Sequence, residues 1–218
     1  ANRGEYMEAV SIFNASADIH VFEPQAQLLS FLVQKAEQIA ARIPHIKIRL
    51  NPCGLSNQDK TAKLYMSSKS DVLASTLETV KRASFSGVGS SDEVYLMKGD
   101  TYCRASKIRS IDFLKIDVEG AEMSVLQGFE SIIRGGLAAF IQFEYGKTTA
   151  FAGCSLRDFF DFLDPGYLLL KITPEGWIPV GAEAIAEYED FRWANYMAVH
   201  RSVKDSFLAF LRSRATKV

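Results

Sequence analysis

Two spacings of apolar residues alternate along this chain. Tyr6, Ala9, Val10 and Phe13 recur at three and four, which predicts a short helix over 5–14. Asp18 to Phe22 reads as a strand. Pro24 suits the first turn of a helix that carries Leu28, Leu32, Ala36, Ile39, Ala40 and Ile43 on one face. Ile46 to Leu50 is the next strand, followed by turn chemistry in Asn51-Pro-Cys-Gly54. Ala62 to Ser67 and Val94 to Lys98 alternate as strands on either side of a Ser/Gly-rich loop at 84–91. Ile111 to Val118 is a stronger strand. One helix follows, with Ala121, Val125, Leu126, Phe129, Ile132 and Ile133 in a stripe that stops at Gly135-Gly136. Leu137 to Phe143 is apolar on both faces and is expected inside a sheet. Ser155 and Asp158 open another helix as a capping box, and Asp164-Pro-Gly166 ends it. Tyr167–Ile172, Trp177–Val180 and Trp193–Val199 are the last strands, ahead of a basic terminal helix packed through Val203, Phe207 and Phe210.

Strands alternating with helices of these lengths predict an α/β fold with a doubly wound, mostly parallel sheet. At 218 residues one domain is expected. Ligands of such sheets bind outside the carboxyl ends of the strands, so the residues just after each strand carry the information. A formal charge of −1 lacks the general positive field that nucleic acid or an anionic membrane would need. No apolar run approaches the ~20 residues of a membrane span. A small-molecule partner is expected instead. Cys53, Cys103 and Cys154 lack metal-ligand spacing and read as free thiols of a reducing cytoplasm.

Gly4 stands just before the first helix, where a glycine permits a turn and close ligand approach. Glu23 ends the next strand nineteen residues later, a spacing that suits the ribose hydroxyls of an adenosine cofactor. The same residue could serve as a first-turn acid of the following helix. A dinucleotide would lay its pyrophosphate on the helix N-terminus, where Glu5 stands and only one glycine is seen. A cationic cofactor without phosphates tolerates Glu5 far better, and S-adenosyl-L-methionine fits that description. Lys115, Asp117 and Glu119 share one face of a strand, with Glu122 one helical step beyond and Glu144 at the end of the apolar strand. Converging carboxylates could hold a base, a metal or the cofactor's ammonium group. Alternatively, Glu119 or Glu122 caps the helix that begins near Gly120, and Lys115 is an ion-pair partner of one of the acids.

The run Ile111-Asp-Phe-Leu-Lys-Ile-Asp-Val-Glu-Gly-Ala-Glu122, with Val125-Leu-Gln-Gly128 after it, resembles the hallmark of the FkbM-type S-adenosylmethionine-dependent methyltransferases. Val21-Phe-Glu-Pro24, Cys53-Gly-Leu-Ser56, Gln142-Phe-Glu-Tyr-Gly146 and Asn195-Tyr-Met-Ala198 are similar to further family segments. The resemblance implies a Rossmann-like class I methyltransferase fold. It implies that Asn2, Gly4 and Tyr6 lie against the methionine part of the cofactor, Glu23 on the ribose, and Leu55 and Ser56 near the adenine. It also implies that Asp117 borders the methyl-donor site, as a cofactor-binding and catalytic residue, and that Glu119 and Glu144 face a hydroxyl acceptor on a sugar, glycolipid or natural product. Family members usually have a strand ahead of the first loop, so residues 1–218 are expected to be one N-terminally truncated domain. An idle Rossmann-like binding module and an NAD-dependent sugar-modifying enzyme are the competing readings.

Overall fold

The computed structural model describes residues 3–13, 16–67, 70–79 and 90–215. Asn2 and residues 84–89 of the Ser/Gly-rich stretch lie outside them. Helix α1 (Glu5–Phe13) leads into strand β1 (Ala17–Phe22), helix α2 (Ala26–Arg42) and strand β2 (Ile46–Asn51), with β1 and β2 parallel. Leu28, Leu32 and Ile39 are buried, as the stripe predicts. The face of α1 is turned instead. Met7 and Ser11 are its buried residues, while Phe13 is exposed. Gly4, with φ at +70°, starts the helix so that it leans on Leu32 and Lys35 of α2.

The middle of the chain is a four-stranded sheet. Its order is β3 (Gly54–Ser56), β6 (Ser91–Lys98), β4 (Lys60–Ser67), β5 (Ser70–Ser75). Helix α3 (Gly99–Ala105) follows β6. The third sheet has the order β10 (Gly176–Val180), β9 (Tyr167–Thr173), β11 (Ala194–His200), β8 (Ala138–Tyr145), β7 (Ile111–Ile116). The protein is thus a mixed α/β fold. Among the described residues β1–β2, β3–β6 and β7–β8 are parallel, and the other strand pairs are antiparallel. One doubly wound, mostly parallel sheet is not what these residues form. The short link between β9 and β10 shows why, because a parallel crossover needs a dozen residues or more.

The largest core lies on one face of the third sheet. Ile141, Phe143 and Tyr145 of β8 meet Leu126 and Phe129 from the helical segment after β7, and Phe159 of the capping-box helix α7 (Leu156–Leu163). Phe140, Met197 and Val199 face the other way, towards Phe207 of the terminal helix α8 (Arg201–Ala215).

The single helix expected after β7 is two, α4 (Glu122–Gly128) and α5 (Glu130–Arg134). The glycine that ends α4 has a long-range reason. A Cβ on Gly128 would stand 2.1 Å from the Ser56 carbonyl oxygen, so helix and β3 can meet only through glycine. Gly128→Ala therefore costs about 1–3 kcal/mol or more, read as a lower denaturation midpoint with an unchanged slope.

Candidate functional site

Lys115 on β7 pairs in register with Gln142 on β8, which brings Glu144 alongside the end of β7. The Lys115 ammonium lies 3.0 Å from Asp117 Oδ2. One oxygen each from Asp117, Glu119 and Glu144 falls within 4.8 Å of the others. The three predicted acids are together, but Glu119 does not arrive by strand alternation. β7 ends at Ile116, and Glu119 (φ 53°) and Gly120 (φ 103°) make a left-handed turn that swings the carboxylate back.

Glu122 braces that turn. Its side chain is 1% exposed and its Oε1 accepts from the backbone N–H groups of Val118 (3.2 Å) and Gly120 (3.1 Å). Thr149, on helix α6 (Lys147–Phe151), donates to the other oxygen at 3.5 Å. Glu119 is not a helix cap. The N-cap of α4 is Ala121, and Glu119 Oε2 is buried with no hydrogen-bond partner among the described residues.

Crowded acids in a partly dry site hold protons more tightly. Burial first, then the neighbouring Glu144, Asp117 and Glu122, push the Glu119 carboxyl up to about 8, against a smaller opposing pull from Lys115. Burial and Asp117 raise Glu144 to about 7. Burial also raises Glu122. Carboxylates this close favour a shared proton or a nearby cation, and Lys115 supplies one such charge.

A polar chain runs across the same face. Tyr6 Oη donates to Gln142 Oε1 (3.2 Å), and Gln142 Nε2 donates to Asn195 Oδ1 (2.8 Å). Asn195 is directly opposite Glu144 in the β8–β11 ladder. Trp193, 53% exposed, lies over Gly146, where a Cβ would meet its ring at 3.0 Å. None of these roles was read from the sequence. Alternation of Phe140, Gln142 and Glu144 on one strand was the available signal for Gln142.

The other predicted positions divide. Glu23 is 3% exposed just past the end of β1, and its Oε1 accepts from Gln25 N at 2.9 Å; α2 has Gln25 as its N-cap and no acid in its first turn, so Glu23 is not the helix acid the sequence also allowed. Pro24 packs against Gly54, which puts Leu55 and Ser56 in the neighbourhood of Glu23. Leu55 also packs on the main core, and Ser56 Oγ donates to Asn57 Oδ1 at 3.4 Å. Gly4 is occupied by packing on α2, whereas Tyr6 reaches the acidic face. Asn2 is outside the described residues.

A family model described as the methyltransferase FkbM domain matches residues 1–169. This chain belongs to the FkbM methyltransferase family. A crystal structure of methyltransferase FkbM from Methylobacillus flagellatus KT superposes with a TM-score of 0.53 at 15% identity. The match covers 90% of this chain and 41% of that one, so the FkbM chain described here spans about two-fifths of that relative's length. At that identity the likeness speaks for the fold alone. No curated protein matches the chain. No helix among the described residues is long and apolar enough to cross a membrane.

Proposed function

We propose that this FkbM domain methylates a hydroxyl of a sugar, glycolipid or natural-product acceptor, with S-adenosyl-L-methionine as donor. The observation that carries the reading is the group Asp117, Glu119 and Glu144 facing one ammonium, with Glu119 Oε2 buried and unpartnered among the described residues. Such a donor set fits a cationic ligand and repels a pyrophosphate. When bound, the donor supplies an electrophilic methyl whose C–S bonding pair leaves with the sulfur.

The protein's part is binding, alignment and proton handling. In this reading Glu23 serves the ribose hydroxyls, Leu55 and Ser56 the adenine, and Asn2, Gly4 and Tyr6 the methionine end. Asp117, paired with Lys115 at 3.0 Å, borders the transferring methyl. Glu144 takes the acceptor's proton, since a base poised near neutrality is ionised often enough to act and basic enough to matter. Glu119 keeps a proton beside it and so limits the charge at the site. Holding the acceptor oxygen ~3 Å from the methyl carbon supplies much of the acceleration.

Among the described residues β1 pairs only with β2 and β7 only with β8. Tyr6 of α1 stacks on Phe113 of β7, 6.0 Å between ring centres, so the first helix lies against β7. A parallel strand pairing with both β1 and β7 would unite the sheets as a Rossmann-like domain. The free thiols of Cys53, Cys103 and Cys154 support a reducing, cytoplasmic setting.

A thermal-shift panel tests the donor. S-adenosylmethionine and S-adenosylhomocysteine are expected to stabilise the protein, by ~2.7 kcal/mol at one hundred times Kd, while NAD does not. Stabilisation by NAD alone would move the reading to an oxidoreductase, and no response to any of them to an idle module. A chelator is expected to leave turnover unchanged, because the Lys115 ammonium already occupies the cationic place beside Asp117.

A further inference from the structure

We propose that Asn195 holds the acceptor oxygen beside Glu144, its amide aimed by a hydrogen-bond relay that starts at Tyr6. The inference rests on the methyl-transfer reading and adds a residue to it. The Tyr6 hydroxyl donates to Gln142 Oε1, which turns the Gln142 nitrogen towards Asn195 Oδ1. The Asn195 oxygen is thereby engaged, and its nitrogen, with two N–H donors, is left facing elsewhere.

That nitrogen belongs to a residue directly across from Glu144 on the neighbouring antiparallel strand. Opposed pairs share a face, with Cβ atoms about 4.5–5.5 Å apart. The inverted relay would turn the Asn195 oxygen to the carboxylates, acceptor against acceptor, so the donor orientation is also the favoured one. Apart from Lys115, which is engaged with Asp117, and the single proton that Glu119 keeps, the acidic group offers acceptors. A hydroxyl brings one proton and two lone pairs. Glu144 takes the proton, an Asn195 N–H takes one lone pair, and the other lone pair stays free for the methyl carbon. A carboxylate alone would fix the proton and leave the oxygen free to rotate about it. The amide fixes the second direction.

The experiment uses the protein loaded with S-adenosylhomocysteine and glycerol as the hydroxyl probe. The Asn195 side-chain amide pair in the ¹⁵N–¹H spectrum is assigned through its loss in Asn195→Asp. Glycerol is expected to shift that pair progressively to saturation. Tyr6→Phe frees Gln142 to invert, and is expected to reduce the shift. In turnover of glycerol, Asn195→Ala is expected to raise KM about 3- to 10-fold, the loss of one hydrogen bond, with a smaller change in kcat and an unchanged thermal midpoint. An amide pair that stays still while glycerol is methylated overturns the inference and spares the methyl-transfer reading. Absence of any calorimetric heat with S-adenosylhomocysteine overturns that reading and the inference with it.

Discussion

Glu144→Gln lowers kcat by about 10²–10⁴-fold and leaves donor affinity close to that of the unaltered protein. Gln keeps the shape and loses the proton acceptor, so alignment survives and proton transfer does not. The loss has a pH signature. Glu144 sits at about 7 and Glu119 at about 8, raised first by burial and then by their acidic neighbours. A base must be ionised, so turnover of the unaltered protein rises as pH passes from 6 to 9, and the limb reports the pair rather than either residue. Glu119→Gln removes the partner that titrates at about 8, so the limb reduces to the Glu144 step at about 7. Rate–pH profiles of the three proteins check this. Equal kcat in all of them would leave alignment as the only source of acceleration.

Glu122→Ala costs about 3–5 kcal/mol of stability, the largest loss expected from any single change near the site. The substitution strands two backbone N–H groups, Val118 and Gly120, together with Thr149 Oγ1. A buried donor left without a partner costs about 1–3 kcal/mol. Denaturant titration reads the loss, and kcat falls with it, because the turn that aims Glu119 loses its brace. Glu119 itself acts on stability in the opposite sense. Its folded pKa is raised, so its contribution is fully present below the ordinary carboxylate value and disappears as pH rises through about 8. Glu119→Gln is therefore expected to gain stability relative to the unaltered protein between pH 5 and pH 8.

The parts of the site legible in the sequence were those set by strand periodicity. Lys115 stands on β7 with Asp117 just past its end, and Glu144 is on the apolar strand that proved to be its neighbour. Glu119 was assigned to the right group for the wrong reason, since a left-handed turn and not the pleat delivers it. Nothing in the local pattern announces a non-glycine residue at positive φ, because the bracing carboxylate of Glu122 imposes it. Asn195 was hidden because its place opposite Glu144 depends on a register between strands some fifty residues apart. The need for glycine at position 128 was hidden for the same reason, as the Ser56 carbonyl that forbids a side chain there is distant in the chain. The sheet was over-simplified where short connections forced antiparallel pairing, as between β9 and β10.

Transfer of a labelled methyl group tests the central claim most directly. The protein is incubated with S-adenosylmethionine carrying a trideuterated methyl and a panel of polyols and glycosides, from pH 6 to 9, and products are read by mass spectrometry. The account predicts an O-trideuteriomethyl product whose rate of formation climbs across the window between about 7 and about 8 and is abolished or displaced in Glu144→Gln. Labelled product formed at a rate that ignores both pH and Glu144, or no O-methyl product from a protein that binds the donor, would contradict it.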